Sequence, residues 1–203
     1  MIQKRKEGIL IVLSGPSGVG KSTVISQLLH DREDLYFSVS FTTRAPRVGE
    51  ADGVNYHFVD HREFERMIEA GELLEYTEYV GNYYGTSLKA IREKLAAGMD
   101  VLLDIEVQGA AEVRRKCPDA VLIFIIPPSF EELSRRLHGR NTETDATISD
   151  RLEKAKEEYR QIPVYDYLVV NDRVDNAAEE IFSILRAESC RTNRRLYLTE
   201  QSN

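Results

Sequence analysis

Cysteine is scarce in this sequence, long apolar runs are missing, and positive charge is outnumbered by negative. Each shortage closes off a class of protein. The two cysteines, Cys117 and Cys190, lie far apart at no metal-ligand spacing, so they read as reduced thiols of a cytoplasmic protein rather than a disulfide framework. The four histidines, His30, His57, His61 and His138, show no ligand spacing either. The longest apolar stretch, Ala120 to Ile126, is seven residues, against the ~20 that a membrane-spanning helix needs. Lys4, Arg5 and Lys6 precede the apolar run Ile9 to Leu13, but five residues are too few for the core of a signal peptide. A formal net charge of -7 leaves no broad basic face, so neither nucleic acid nor an anionic membrane is expected as a partner. There is no internal repeat and no low-complexity tract.

What remains is a soluble α/β pattern. At 203 residues, with no break in composition, the chain is expected to form one domain around one sizeable core. Apolar runs rich in Ile, Val and Leu recur at Ile9 to Leu13, Val101 to Ile105, Val121 to Ile126 and Tyr167 to Val170, with helical stretches between the later ones. Strands that read as continuous apolar segments are buried on both faces, which predicts a parallel sheet covered by helices; Leu35 to Phe41 is a candidate fifth strand. Ser129 with Glu132 forms a capping box ahead of Leu133, and Gly71 and Gly98 read as helix stops. Between Ser38 and Lys89 the texture changes to short alternating strands, turns and tyrosines, with one helix starting near Asp60 and Glu63. The polar, Thr-rich stretch Gly139 to Thr147 between two amphipathic helices reads as a mobile lid. After Tyr167 to Val170 a last helix, from about Asn176, runs toward Arg191, Arg194 and Arg195, which are read as favouring its C-terminus.

The run Gly15-Pro16-Ser17-Gly18-Val19-Gly20-Lys21-Ser22 fits the phosphate-loop pattern G-x-x-x-x-G-K-[ST]. It follows an apolar strand and opens a periodic helix marked by Val24, Ile25, Leu28 and Leu29. In that setting successive backbone N–H groups and the helix N-terminus converge on one anion. Gly15, Gly18 and Gly20 allow the tight turn, Lys21 reaches the outer phosphates, and the Ser22 hydroxyl is placed to ligate Mg2+. A phosphate loop alone leaves GTPases, helicases, transport ATPases and small-molecule kinases open. The GTPase patterns D-x-x-G and N-K-x-D occur nowhere in the chain. A kinase of nucleoside monophosphates needs a second anion site to hold the acceptor in line with the donor. Ser40-Phe41-Thr42-Thr43-Arg44-Ala45-Pro46-Arg47 supplies one, with two arginines three apart beside hydroxyls and Pro46 keeping the segment extended. Asp104 ends a buried strand next to the expected nucleotide site, where a carboxylate is costly unless it faces a cation. It reads as the metal side, with a structural bond to Ser22 or Lys21 as the competing assignment.

With these residues in hand, the chain resembles the guanylate kinase family, enzymes that pass the γ-phosphate of ATP to GMP. The resemblance covers nearly the whole sequence. The family's S-x-T-T-R-x-P-R run stands at Ser40 to Arg47, its acidic N-Y-Y-G neighbourhood at Glu75 to Thr86, and its L-D-I-[DE]-x-Q-G strand end at Leu103 to Gly109. It implies a three-layer P-loop fold with a mainly parallel five-stranded sheet. The core would be 1–38, 90–130 and 160–203, with a small mixed-β GMP-binding insertion at about 39–89 and a helical lid at about 131–159. Carried over by position, Ser40, Arg44, Arg47, Tyr56 and Tyr84 would bind the GMP phosphate, and Glu75 and Thr86 the base. Thr86 stands where Ser is frequent, and its hydroxyl still serves. Glu106 is similar to a base-side carboxylate that is often Asp in the family. Arg136, Arg140 and Arg151, flanking the lid, would reach the transferring phosphates, and Asn171 with Asp172 would lie on the adenine side. ATP and Mg2+ are implied as donor and cofactor, GMP and dGMP as acceptors; a homo-oligomer is left open.

Residue chemistry supports the base assignment. Guanine presents N1–H and the N2 amino group side by side, and an ionised carboxylate at Glu75 accepts from both, whereas adenine would set a lone pair against it. Two rival functions follow from the same residues: a phosphopeptide-binding scaffold without catalysis, against which the intact Gly15, Gly20, Lys21 and Ser22 argue, and a kinase for another nucleotide.

Overall fold

The computed structural model describes residues 7–139 and 145–200; the middle of the polar stretch, Arg140 included, lies outside them. A five-stranded sheet in the order β2-β7-β1-β8-β9 forms the core, built from β1 (Leu10–Ser14), β2 (Leu35–Phe37), β7 (Asp100–Asp104), β8 (Val121–Ile126) and β9 (Tyr167–Val170). Every pairing in it is parallel. β1 is central, and its side chains alternate between two cores. Ile9, Ile11 and Leu13 pack with Val24, Ile25 and Leu28 of α1 (Lys21–Asp31) and with Ala177, Ala178, Ile181 and Leu185 of α7 (Val174–Glu188). Leu10 and Val12 pack on the opposite face with Ile91 of α3 (Leu88–Ala96) and with Ala110 and Val113 of α4 (Val107–Lys116). This is why the strand is apolar throughout rather than alternating: both faces of the sheet are covered.

The register of the central strands brings the chemistry to one edge. Leu13 of β1 lies beside Asp104 of β7, so the phosphate loop after β1 and the carboxylate ending β7 emerge together at the C-terminal ends of the strands, where ligands of such sheets bind. At the opposite end, buried Asp100 accepts from Ile9 N (2.8 Å) and pairs with Arg32 (2.9 Å), tying the start of β1 to β7 and to the segment after α1.

The expected fifth strand, Leu35 to Phe41, divides. Leu35–Phe37 joins the large sheet, the Ser38 N–H still bonds Leu102 O (3.0 Å), and the chain then leaves, so that Phe41 begins a strand of a second sheet. That sheet runs β4-β3-β6-β5, from β3 (Phe41–Thr42), β4 (His57–Phe58), β5 (Leu73–Tyr79) and β6 (Asn82–Ser87). It is mixed: β3 and β4 are parallel, the other pairs antiparallel. It has its own small core of Phe64, Met67 and Leu73, the first two from α2 (His61–Glu69). Asp60 caps α2 through Glu63 N (2.7 Å). Gly71 and Gly98 follow α2 and α3 in left-handed conformations (φ 65° and 80°), as their placement in the sequence predicts.

The helices α5 (Phe130–His138) and α6 (Asp145–Tyr159) form a third small core from Leu133, Leu137, Ile148 and Ala155. The Ser129 hydroxyl accepts from Glu132 N (3.1 Å), the expected cap, while the Glu132 carboxylate turns instead to Arg135 and Arg136. The last long helix starts at Val174, two residues before the expected Asn176. Beyond it, Arg191 and Arg194 pair with Glu188, and Arg195 donates to Ser189 O, so these arginines serve the end of α7 as expected.

Candidate active site

Side chains from elsewhere in the fold donate to a carbonyl of the phosphate loop. Asn171, buried at the end of β9, donates from Nδ2 to Val19 O (2.8 Å). Arg136 of α5 donates to the same carbonyl (3.1 Å) and to Asn171 O (3.0 Å), with its Nε on Glu132 (2.8 Å). Sequence reasoning aimed Arg136 at the moving phosphates and Asn171 at the donor nucleotide; both side chains here brace the loop. Gly20 caps α1 with φ 95°, and a Cβ there would lie 2.8 Å from Asn171 Nδ2, so only glycine fits both the turn and the brace. Pro16 and Val19 are buried, Ser17 is exposed, and the Ser17 hydroxyl accepts from Arg151 of α6 (2.9 Å).

Lys21 opens α1 with its ammonium on Gly15 O (2.6 Å) and within ion-pair reach of Asp104 (3.9 Å). The contact is the structural bond to Lys21 that is the competing reading of Asp104, and about a third of the Asp104 side chain (32 %) stays exposed. Burial pushes its carboxyl above the usual aspartate range; Lys21 pulls it down and Glu106 adds to the rise. A carboxylate lifted in this way gains from any cation that arrives. The Ser22 hydroxyl is exposed in the same turn.

The segment expected to form a second anion site runs along β3, which pairs with β6. Thr42 Oγ1 donates to Tyr83 O (2.9 Å) and accepts from Arg44 N (3.2 Å), while Thr43 Oγ1 accepts from Tyr83 N (2.9 Å). The threonine pair thus clips the segment to β6 and fixes the direction in which Arg44 leaves it. Ser40 contributes its carbonyl, which accepts from His57 N (2.9 Å) and joins β4 to β3. The Arg44 guanidinium lies 5.5 Å from the centre of the Tyr56 ring, and Tyr56 meets Tyr84 edge to face at 5.9 Å.

Glu50 is a site residue that nothing in the sequence pattern points to. Its carboxylate takes both oxygens to one Arg44 nitrogen (2.9 and 3.0 Å) and accepts from the backbone N–H of Arg47 (2.7 Å). Those contacts hold its carboxyl below the usual glutamate range, the hydrogen bond from Arg44 first and that from Arg47 N–H second. Nothing local marks Glu50 in the sequence, because the partner it answers is defined only once the loop folds back. Arg47 itself is exposed. The Tyr56 hydroxyl is raised by burial, then by Tyr84 and Asp104.

Glu75 and Thr86 are register partners on β5 and β6, next to a bulge between Leu73 and Glu75. The bulge turns Glu75 inward: it is 4 % exposed, Thr86 is fully buried, and the Thr86 hydroxyl donates to Glu75 Oε1. The other oxygen faces the start of α4, where a Cβ on Gly109 would come within 2.8 Å of it. The Glu75 carboxyl is raised by burial against the opposing pull of Thr86 and Lys116. Such a group is expensive to keep charged and has spare acceptor capacity. Glu106 stands exposed at the N-terminus of α4, paired with Lys154 of α6 (3.1 Å), a contact that sequence reasoning also missed.

These features define a P-loop α/β protein in which the phosphate loop and Asp104 stand at the C-terminal ends of the central strands, with a separate mixed sheet that carries Glu75 and Thr86. A guanylate kinase family model matches residues 7–188. The chain is 52 % identical to the guanylate kinase of Halalkalibacterium halodurans over 191 residues, covering 94 % of each chain. It is 53 % identical to that of Lactococcus lactis over 190 residues, covering 94 % of this chain and 93 % of the other. The crystal structure of guanylate kinase from Anaplasma phagocytophilum superposes with a TM-score of 0.77 at 40 % identity, over 94 % of this chain and 90 % of that one. The chain belongs to the guanylate kinase family.

Proposed function

We propose that this protein transfers the γ-phosphoryl group of ATP to GMP, giving ADP and GDP, with dGMP as a second acceptor. The observation that carries the reading is Glu75. It is a buried carboxylate with one oxygen on Thr86 and the other turned toward Gly109, in a chain whose family acts through a guanine nucleotide. A group so costly to ionise is explained by a ligand that supplies two adjacent donors, which guanine does and adenine does not.

In this reading the loop N–H groups and Lys21 hold the donor triphosphate. As a phosphate oxygen arrives, the Lys21 ammonium exchanges its bond to Gly15 O for one to the ligand. Arg151 closes from α6 over Ser17, and Arg140 acts with it; Arg136 and Asn171 set the loop's shape. Arg44, Arg47, Tyr56, Tyr84 and Ser40 hold the acceptor phosphate, and Glu75, Thr86 and Glu106 its base. That phosphate has a second pKa of about 6 and is largely a dianion at neutral pH, so no strong general base is required. Catalysis then rests on alignment and on spreading the charge of the moving group.

Ser22 and Asp104 supply only oxygen ligands, as Mg2+ prefers, and among the described residues no cluster of three or more acidic, histidine or cysteine side chains forms a closed metal cage. The residues fit a cation held largely by nucleotide oxygens and water. When bound, Mg2+ would neutralise charge on the donor phosphates. Because the insertion and the α5–α6 pair each have a separate core, both are read as units that close on the nucleotides. Small-angle scattering should record contraction with both nucleotides bound; an unchanged radius would refute the closure.

The net charge of -7 fits free nucleotides as partners rather than nucleic acid or an anionic membrane. Among the described residues no helix is long and apolar enough to cross a membrane, and both cysteines are free, in keeping with a reducing compartment. The deciding experiment is ADP release with ATP as donor and GMP, dGMP, AMP or UMP as acceptor. GMP should exceed AMP by about 10^4 in kcat/KM, as for a site built around a substrate's donors; a preference for AMP overturns the reading.

A further inference from the structure

Lys154 of α6 touches both the core and the insertion. Its ammonium lies 3.2 and 3.1 Å from the two oxygens of Glu106, at the start of α4 in the core. It also lies 4.7 Å from the centre of the Tyr79 ring, at the end of β5 in the insertion. On its own helix it is 4.0 Å from Glu158. Glu158 is 8 % exposed, and its second oxygen has no hydrogen-bond partner. One helical turn earlier on α6, Arg151 bonds Ser17 of the phosphate loop, and residues three apart share a helix face.

We propose that Lys154 is a positioning residue that ties the lid helix to the acceptor-base pocket, holding the Glu106 carboxylate in place for the base and fixing α6 against the insertion. This rests on the reading that Glu106 faces the acceptor base. The physical argument is the distribution of charge. Glu106 is half exposed (50 %) and on its own would rotate freely; with Lys154 across both its oxygens, it presents one orientation. An ammonium over the Tyr79 face adds a contact that exists only when the insertion and α6 are close together. Acceptor binding that orders Glu106 or the β5–β6 hairpin therefore stabilises the placement of α6, and with it the reach of Arg151 to the donor loop. Because a coupling of this kind is reciprocal, donor binding favours acceptor binding by the same factor. Burial depresses the Lys154 ammonium, but Glu106 first and Glu158 after it more than offset this, so it stays charged through the neutral range.

The test is Lys154→Met with Lys154→Arg and Glu106→Gln alongside, assayed by steady-state kinetics. Lys154→Met should raise KM for GMP about fivefold with kcat changed less, the scale of a modest coupling between sites. Lys154→Arg should restore KM to within about twofold, and the effect of Lys154→Met should vanish in the Glu106→Gln background. An unaltered KM for GMP in Lys154→Met, or additive effects of the two substitutions, overturns the proposal. Should Lys154→Met misfold because Glu158 is left buried without its cation, the Lys154→Met/Glu158→Gln pair removes that burden and is read the same way. Glu75→Gln in the same assay separates the two failures. Loss of GMP use there beside an unaltered Lys154→Met enzyme overturns this inference alone. Unaltered GMP kinetics in Glu75→Gln and Glu106→Gln together overturn the base-site reading on which it rests.

Discussion

In the proposed reading, the donor and acceptor sites grip an anionic nucleotide by different means. The donor end is eight consecutive residues. It presents main-chain N–H groups, and its shape is fixed by glycine conformations and by Asn171 and Arg136 bonding to its carbonyls. The proposed acceptor end draws on β3, β4, β5, β6 and the loop after β7. It presents side chains, with Arg44 over Tyr56 and buried Glu75 under Thr86. Backbone amides recognise phosphate, which every nucleotide carries; side chains recognise a base, which only some do. The difference teaches where affinity and specificity should separate, and substitutions at each end put that to the test.

The largest effect is expected at the donor end. Lys21→Ala should lower kcat by about 10^3, the scale for removing a charge that acts on the moving phosphoryl group, while leaving calorimetrically measured GMP affinity within about threefold. A comparable loss of GMP binding would break the separation between the two ends. Next, Glu75→Gln should lower kcat/KM for GMP by about 10^2, because the amide sets an N–H against one of guanine's donors. Its KM for ATP should hold. An enzyme with unaltered GMP kinetics would remove Glu75 from the base pocket.

The smallest effect sharpens the comparison by separating stability from use. Burial raises the Glu75 pKa, so the folded state holds its proton to higher pH than the unfolded chain does. The ionised carboxylate therefore costs stability once pH exceeds the folded-state value, and costs none below the ordinary glutamate value. Glu75→Gln should raise the melting temperature at pH 8 by about 2–5 °C. That gain should shrink as the solution is acidified through the carboxylate range. A lower melting temperature for the variant at every pH would mean that the charge is structural rather than kept for a ligand. At the donor end no equivalent gain is expected, because the loop's own N–H groups are the binding groups and cannot be relieved by substitution.

The same contrast explains what could be read in advance. The phosphate loop, the five parallel strands and the helix caps are local: each depends on residues within a few positions, and hydrophobic runs mark strands buried on both faces without reference to the rest of the chain. On the acceptor side, the Arg44 and Arg47 pair is legible from residue chemistry, whereas the base-side residues are legible only through resemblance to a known family. Neither Tyr56 nor Glu75 carries a local mark of its role, and the bulge that turns Glu75 inward is a property of the β5–β6 pairing. The boundary between core and insertion shows the limit. Leu35 to Phe41 reads as one strand, yet it feeds two sheets, because pairing partners rather than propensity decide where a strand ends.

By itself, then, the order of residues determined that a phosphate loop would form between a buried strand and a helix, since backbone conformation and amphipathic periodicity are set by near neighbours. Only the tertiary structure decided which charges meet. Glu50 finds Arg44, Lys154 finds Glu106, and Arg136 with Asn171 turns toward the back of the loop. Electrostatic pairing depends on distances of a few ångströms between groups that, as with Lys154 and Glu106, lie 48 positions apart in the chain, and folding alone sets those distances.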